Sequence, residues 1–133
     1  MVNVIKVKCM PKILIVDDIF VNRLLLKEVM KNLHVTCLEA QNGKEAIDII
    51  IKEKVDLVFM DIEMPVMNGL ETTKYVREKL PSPKKYTPIV ALTAHNPANF
   101  FEDFRDAGFD FLMTKPYSIE KIKQAIEKVL PHS

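Results

Sequence analysis

Side chains that can bind a metal ion or a phosphoryl group follow four apolar runs of the sequence. These residues are Asp17, Asp18, Asp61, Thr93, Thr114 and Lys115. Clustered carboxylates repel one another unless they share a proton or bind a cation. Mg²⁺ is the expected cation because it prefers oxygen ligands, and no His or Cys stands at these positions to indicate zinc. An aspartate beside such an ion can act as a nucleophile, while a lysine and a threonine can bind phosphoryl oxygens. The set therefore suits phosphoryl transfer to a carboxylate.

These side chains act together only if the chain brings them to one place. Five apolar runs predict buried strands over residues 13–16, 35–38, 57–60, 89–92 and 111–113. Segments with helical spacing follow each strand, so the sequence predicts an α/β fold: an open parallel sheet with five helices on its two faces. Ligands of such sheets bind at the carboxyl ends of the strands. If the first and third strands are neighbours, the polar residues converge there.

The predicted helices begin at polar capping residues. Asn42 with Glu45 and Asn68 with Glu71 have capping-box spacing, and Ser118 precedes the last helix. Asn96 and Pro97 mark the start of the fourth helix, and Gly108 marks its end. The first helix is predicted to bury an apolar face made of Val21, Leu25, Leu26, Val29, Met30 and Leu33.

Composition restricts the class of protein. The chain has 133 residues, enough for one domain. Its 19 Lys and Arg against 18 Asp and Glu leave a net charge of +1, which argues against nucleic-acid binding. The absence of a long apolar stretch or a signal peptide favours a cytoplasmic protein without a membrane segment. Two cysteines, Cys9 and Cys37, are too few for a disulfide framework.

Each polar residue also has an ordinary structural interpretation. The Asp17 and Asp18 pair can cap a helix, Asp61 can open a turn, and Thr93 can be a simple strand-end hydroxyl. Lys115 can be a solvated loop charge. Their joint position favours function, because independent caps and turns would not all occur at the same end of one sheet.

Four segments resemble the receiver domains of two-component response regulators, including the chemotaxis regulators. The matching text is ILIVDD at 13–18, DLVFMDIEMPVMNGLE at 56–71, PIVALTAH at 88–95 and GFDFLMTKP at 108–116. The sequences of these motifs are most similar to those of receivers in hybrid histidine kinases. The resemblance implies a flavodoxin-like, doubly wound fold with strand order 2-1-3-4-5. It also implies a receiver domain over residues 12–131, preceded by an extension of residues 1–11.

The family's roles carry over onto matching positions of this sequence. Asp61 matches the phosphoacceptor, which takes a phosphoryl group from the phosphohistidine of a sensor histidine kinase or a histidine phosphotransfer protein. The resemblance implies that Asp18, Asp61 and the backbone carbonyl of Glu63 hold Mg²⁺, with Asp17 acting largely through water. Lys115 is expected to pair with the phosphoryl oxygens, and the Thr93 hydroxyl to bond them once phosphate is attached.

The resemblance has further consequences around the site. The peptide bond between Lys115 and Pro116 is expected to be cis. Glu63 and His95 are expected to flank the attacking water when the aspartyl phosphate hydrolyses, although a solvated loop residue is the more ordinary interpretation of His95. Leu112 stands where receivers commonly carry Tyr or Phe, so the output surface is expected to respond differently.

The resemblance implies a phosphoacceptor rather than an enzyme, which acts in a phosphorelay and switches a surface read by an unidentified downstream protein. Of Phe100, Phe101 and Phe104 in the fourth predicted helix, Phe101 is the expected exposed contact, although a core position for all three is slightly favoured. A homodimer on that face stays open. No direct DNA binding is expected. Three forms stay open, namely a stand-alone receiver, a phosphate shuttle in a relay and a receiver domain of a larger hybrid kinase, and the initial Met favours a complete chain.

Two other functions remain as alternatives. A Mg²⁺-dependent phosphohydrolase would also use an aspartyl nucleophile, although such enzymes typically carry two aspartates spaced D-x-D, and Asp61 is followed by Ile62 and Glu63. Turnover of a small phosphate ester would favour that enzyme. The other alternative is a protein-interaction module that is not phosphorylated, which absence of Mg²⁺ binding would favour.

Overall fold

A computed structural model of the chain describes residues 10–64, 66–94, 107–115 and 118–130. Within these residues the sheet has five parallel strands: β1 (Lys12–Val16), β2 (Thr36–Ala40), β3 (Leu57–Asp61), β4 (Ile89–Thr93) and β5 (Phe111–Thr114). The strand order is β2-β1-β3-β4-β5, as the family resemblance implied. β2 begins one residue and ends two residues later than predicted, whereas the other four strands lie within one residue of their predicted bounds.

The described residues contain four α-helices and a 3₁₀-helix (Lys84–Tyr86). The α-helices are α1 (Phe20–Met30), α2 (Gly43–Lys52), α3 (Gly69–Lys79) and the C-terminal α4 (Ile119–Val129). The helix predicted after Asn96, with its three phenylalanines, lies outside the described residues, as does the peptide bond between Lys115 and Pro116. None of the described helices is long and apolar enough to cross a membrane.

Both faces of the sheet are covered, which explains the continuous apolar runs of the strands. Helices α1 and α4 pack on one face, in a cluster that contains Ile13, Ile15, Leu26, Met30, Phe59, Val90, Leu92, Ile122 and Ile126. Helices α2 and α3 pack on the other face, in a cluster that contains Leu14, Val16, Ala46, Ile50, Val58, Met60, Val76 and Ile89. β3 and β4 are buried along their whole length.

The register of the strands brings their carboxyl ends to one level. Val16 of β1 pairs with Met60 of β3, so the residues that follow, Asp17 and Asp61, lie side by side. Asp61 in turn pairs with Leu92, and Thr93 pairs with Thr114 at the end of β5. The polar residues at the carboxyl ends of the strands therefore lie close together, as the sequence predicts.

The predicted helix caps at Asn42, Asn68 and Ser118 are confirmed, and the one predicted at Asn96 lies outside the described residues. The Asn42 side chain accepts a hydrogen bond from the Glu45 amide at 2.9 Å, and Ser118 accepts one from the Lys121 amide at 3.1 Å. Asn68 forms a full capping box with Glu71, through bonds of 2.8 and 3.1 Å. The caps fix where α2, α3 and α4 begin relative to the strand ends.

The predicted apolar face of α1 is wrong at two positions. Val21 and Leu25 are exposed, with 57% and 58% of their surface accessible, whereas Leu26 and Met30 are buried as predicted. Arg23 is buried with them and is 7% exposed. Residues 23, 26 and 30 have the i, i+3, i+7 spacing of a single helix face, and that face lies against the sheet. Apolar residues occupy both sides of α1, so their spacing alone did not decide which side faces inward.

Candidate functional site

Three aspartates meet at the carboxyl end of the sheet. Carboxylate oxygens of Asp17, Asp18 and Asp61 all lie within 4.8 Å of one another. Asp17 follows β1 and is fully buried, and Asp61 ends β3 and is 2% exposed, while Asp18 is open to solvent. Two buried carboxylates and one accessible carboxylate form an oxygen-rich site that a hard divalent cation can enter from solvent.

One oxygen of the Asp17 side chain accepts hydrogen bonds at the start of α1, and the other lies near Lys115. Its Oδ1 accepts a hydrogen bond from the Ile19 amide at 2.9 Å. Its Oδ2 is buried and accepts no hydrogen bond from the described part of the chain, although Lys115 Nζ lies 3.9 Å away. A buried carboxylate oxygen without a donor is costly, and a bound cation would compensate it. The residues present therefore fit Mg²⁺.

Lys115 supplies a positive charge opposite the aspartates. Its Nζ lies 3.2 Å from Asp61 Oδ1, and its side chain is 24% exposed. The Lys115 amide donates to the Thr93 carbonyl at 2.7 Å, which continues the pairing of β4 and β5 and fixes where the side chain begins. The lysine is thus placed by the sheet itself to contact a group bound at Asp61.

The environment of Asp61 shifts its ionisation. Burial and the neighbouring charge of Asp17 raise the Asp61 pKa to about 6, although Lys115 and the Glu63 amide act in the opposite direction. The Glu63 amide donates to Asp61 Oδ1 at 3.3 Å. A cation in the cluster would favour the ionised carboxylate, because it offsets the repulsion from Asp17.

Thr93 ends β4 at the same carboxyl end of the sheet as Asp61 and is fully buried. Its hydroxyl donates to Glu63 Oε2 at 2.9 Å, so the two residues predicted to act near the phosphoryl group contact each other. The Glu63 side chain is exposed, and both its amide and its carboxylate contact residues of the site. The Glu63 carbonyl as a metal ligand stays a prediction, and His95 lies outside the described residues.

Leu112 of β5 is half-buried. It lies opposite Ala91 on β4 and packs in a small cluster with Ile62 and Phe109. Phe111, the aromatic residue beside it, is 38% exposed, and the Lys128 ammonium lies 5.7 Å from its ring centre. An aliphatic side chain therefore occupies the position where receivers commonly carry an aromatic one.

Sequence reasoning missed Arg23. Its Nη1 donates to the Asp17 carbonyl at 2.8 Å, and its Nε donates to Glu39 Oε1 at 2.9 Å. A signal was present, because an arginine at helical spacing from the apolar Leu26 and Met30 interrupts an otherwise apolar face. A charged residue at such a position is buried only when it is paired.

A parallel five-stranded sheet with these residues at its carboxyl edge defines a receiver-type fold and site, and comparison with known proteins agrees. The family model described as response regulator receiver domain matches residues 13–127. The chain is 33% identical over 120 residues to sporulation initiation phosphotransferase F of Bacillus subtilis, covering 90% of this chain and 94% of that protein. It is 40% identical over 119 residues to hybrid signal transduction histidine kinase A of Dictyostelium discoideum, covering 88% of this chain but 6% of that protein.

Solved structures give the same result. The chemotaxis protein CheY4 of Vibrio cholerae superimposes with a TM-score of 0.84 at 30% identity, covering 92% of this chain and all of that one. The response regulator TrrA of Thermotoga maritima, solved in complex with Mg²⁺ and BeF, superimposes with a TM-score of 0.80 at 34% identity, covering 91% and 100%. The chain belongs to the response regulator receiver domain family. It is a receiver of two-component phosphorelay signalling.

Proposed function

We propose that Asp61 accepts a phosphoryl group from the phosphohistidine of a sensor histidine kinase or a histidine phosphotransfer protein. The observation that carries this proposal is the convergence of three aspartates within 4.8 Å, with the Lys115 ammonium 3.2 Å from Asp61. Asp17, Asp18, Asp61 and the Glu63 carbonyl would hold Mg²⁺. When bound, the ion neutralises charge on the phosphoryl oxygens.

Asp61 is the nucleophile in this proposal. An ionised carboxylate oxygen attacks the phosphorus, the phosphorus–nitrogen bond to the donor histidine breaks, and its electron pair returns to the imidazole. Lys115 stabilises the negative charge that spreads over the transferring oxygens. Asp61 reacts only in its ionised form, so the raised pKa of about 6 keeps part of the metal-free protein unreactive in mildly acidic solution.

Thr93 reports the arrival of the phosphoryl group. In the unmodified protein its hydroxyl donates a hydrogen bond to the Glu63 carboxylate. A phosphoryl group on Asp61 is a stronger acceptor and repels the Glu63 carboxylate, so the hydroxyl moves to a phosphoryl oxygen. Leu112 lies on β5, the strand next to β4, two register pairs before the pair that contains Thr93. We expect movement of Thr93 to reach β5 through the pairing of these two strands.

The phosphodonor protein docks on an apolar surface beside the site. This α1 surface consists of Ile19, Phe20, Val21, Leu24 and Leu25, which are 42–61% exposed. It begins directly after Asp18 in the chain, so a protein that covers it can bring a histidine to Asp61. Contiguous exposed apolar side chains are typical of protein-interaction sites.

The docking role can be separated from the chemistry. Leu25→Ser is expected to slow phosphotransfer from a histidine phosphotransfer protein but not from acetyl phosphate, which needs no docking surface. Ile51→Ser is the control, because Ile51 is 48% exposed on α2. Equal effects of the two substitutions, or an equal loss with both donors, would contradict the docking role.

We also propose that the receiver unit comprises residues 12–131, that residues 1–11 are an extension, and that the protein acts in the cytoplasm. The beginning of β1 at Lys12 and the end of α4 at Val129 support the bounds.

The proposed function is tested by intact-mass measurement after incubation with acetyl phosphate, with and without Mg²⁺. We expect the wild type to gain one phosphoryl group only when Mg²⁺ is present, and Asp61→Asn to gain none. Asp48→Asn is the matched control, because Asp48 is an exposed aspartate of α2. A wild type that stays unmodified with every donor, including a histidine phosphotransfer protein, would contradict the proposal.

A further inference from the structure

We infer that Arg23 is a positioning residue for the acidic cluster: its guanidinium holds the Asp17 carbonyl, and thereby orients the Asp17 and Asp18 carboxylates for the cation. The inference rests on the proposed Mg²⁺ site. Arg23 lies in the second turn of α1, is 7% exposed, and does not contact Asp61 or Lys115 among its described bonds.

The bond from Arg23 replaces one that the sheet cannot supply. The Asp17 amide still donates to the Ala40 carbonyl at 3.1 Å, which is the last bond between the β1 and β2 segments. Both strands have ended there, since β1 stops at Val16 and β2 at Ala40. The Asp17 carbonyl would be left without a sheet donor, and Arg23 Nη1 donates to it at 2.8 Å.

The direction of that carbonyl determines where Asp18 lies. The Asp17 carbonyl and the Asp18 amide belong to one rigid peptide plane, so a donor that fixes the carbonyl also fixes the path of the chain into Asp18. Asp17 is held on its other side through Oδ1 by the Ile19 amide. Loss of the Arg23 bond would free this peptide plane to rotate and would move the one carboxylate that is open to solvent.

Arg23 is itself held in place by β2. Glu39 accepts from Arg23 Nε at 2.9 Å through Oε1 and from Lys27 Nζ at 2.8 Å through Oε2. The hydrogen bond from Lys27, followed by that from Arg23, lowers the Glu39 pKa despite the partial burial of the carboxyl. The Nε end of the guanidinium is therefore fixed to β2 through Glu39, and its other end donates to the Asp17 carbonyl and orients that peptide.

A purely structural role makes a different prediction from a positioning role. If Arg23 only anchors α1, its loss lowers the free energy of unfolding but leaves the Mg²⁺ affinity of the folded molecules unchanged. If it positions the cluster, the affinity falls as well, as commonly happens when a group that orients metal ligands is removed. Lys27→Met is the matched control, because Lys27 shares Glu39 with Arg23 and has no described bond to Asp17.

The experiment is a Mg²⁺ titration followed by amide chemical shifts, on variants shown by circular dichroism to be folded at the temperature used. We expect the dissociation constant of Arg23→Met to rise about tenfold, with the Asp18 amide shifted before metal is added, and that of Lys27→Met to stay close to wild type. Arg23→Lys, which keeps the buried charge but not the fork of donors, is expected to show a smaller rise and serves if Arg23→Met does not fold.

Wild-type Mg²⁺ affinity in a folded Arg23→Met variant would overturn the inference and leave the proposed function standing. If Arg23→Met does not fold, wild-type Mg²⁺ affinity in Arg23→Lys would have the same consequence. A wild-type protein that binds no Mg²⁺ would overturn the proposed function and this inference together.

Discussion

The Thr93 hydroxyl donates a hydrogen bond of 2.9 Å to the Glu63 carboxylate, across the gap between the end of β4 and the loop after β3. Thr93 is buried, whereas Glu63 is exposed. The hydroxyl that a phosphoryl group on Asp61 would need therefore already donates its hydrogen bond to Glu63 in the unmodified protein. Glu63 would compete with such a phosphoryl group for it, and its negative charge would oppose a second anion at the site.

Removal of Glu63 should therefore favour the phosphorylated conformation. We expect Glu63→Ala to bind a beryllofluoride analogue of the phosphoryl group about threefold to tenfold more tightly, since a hydrogen bond contributes about 0.5–1.5 kcal/mol net. Calorimetric titration in saturating Mg²⁺ measures this. Glu63→Gln separates the charge from the bond, because it retains an acceptor. Weaker binding by Glu63→Ala would show that Glu63 assists the phosphoryl group instead of competing with it.

The rate of phosphorylation should depend on the ionisation of Asp61. Because its pKa is raised to about 6 by burial and by Asp17, the metal-free carboxylate gains reactivity as the pH rises through that value. Mg²⁺ binds the ionised form, so the apparent Mg²⁺ affinity should fall as the pH decreases below about 6. Mg²⁺ titrations over a range of about three pH units, from about pH 5 to about pH 8, measure the effect. A flat profile would contradict the raised pKa.

The same pKa predicts an unusual pH dependence of stability. The folded state keeps a proton on Asp61 that the unfolded state, with the ordinary value of 3.8, has already released. The unfolded state therefore binds fewer protons, and the metal-free protein loses stability as the pH rises from about 4 to about 6, by at most about 3 kcal/mol. Urea unfolding in the presence of a chelator should show this loss in the wild type and not in Asp61→Asn.

Lys115 should matter for the chemistry more than for the metal. We expect Lys115→Ala to retain Mg²⁺ binding and to lower the phosphorylation rate by about 10²–10³, the usual effect of removing one group that stabilises developing negative charge. Lys121→Ala, in an exposed part of α4, is the control. Phosphorylation of Lys115→Ala at the wild-type rate in saturating Mg²⁺ would refute the role of the lysine.

Gly69 allows α3 to begin against the phosphoacceptor. A Cβ at this position would collide with the Asp61 carbonyl oxygen and lie 3.0 Å from the Ile62 Cα. Alanine normally favours a helix over glycine by about 1 kcal/mol, so a loss of stability in Gly69→Ala would show that the close approach dominates. We expect a loss of about 1–3 kcal/mol in urea unfolding, and no comparable loss in Lys74→Ala, an exposed control in α3. A more stable Gly69→Ala would contradict the tight contact.

The meeting of distant residues was predictable from the sequence because parallel strands have a common edge. Asp61 and Lys115 are 54 residues apart, yet each directly ends or follows an apolar run, and the structure brings them within 3.2 Å. Alternation of strands and helices sufficed for the sheet, but the order of the strands came from the resemblance to receivers. The capping pairs at Asn42 and Asn68 were predictable because their bonds are local in the chain.

The errors and omissions have physical causes. Val21 and Leu25 were assigned to the buried face because α1 has apolar residues on both sides, and the face that lies against the sheet also buries Arg23, which is paired with Asp17 and Glu39. The bond between Thr93 and Glu63 depends on two side-chain conformations and on residues 30 apart, and neither leaves a periodic signal in the sequence.

The central claim is that Asp61 carries the phosphoryl group. It is tested most directly by reduction of the phosphorylated protein with borohydride, which converts an aspartyl phosphate to homoserine, followed by digestion and mass spectrometry of the peptides. We expect homoserine at position 61 alone, formed only when both phosphodonor and Mg²⁺ have been present. Homoserine at Asp17 or Asp18, or a phosphorylated protein with unmodified Asp61, would contradict the claim.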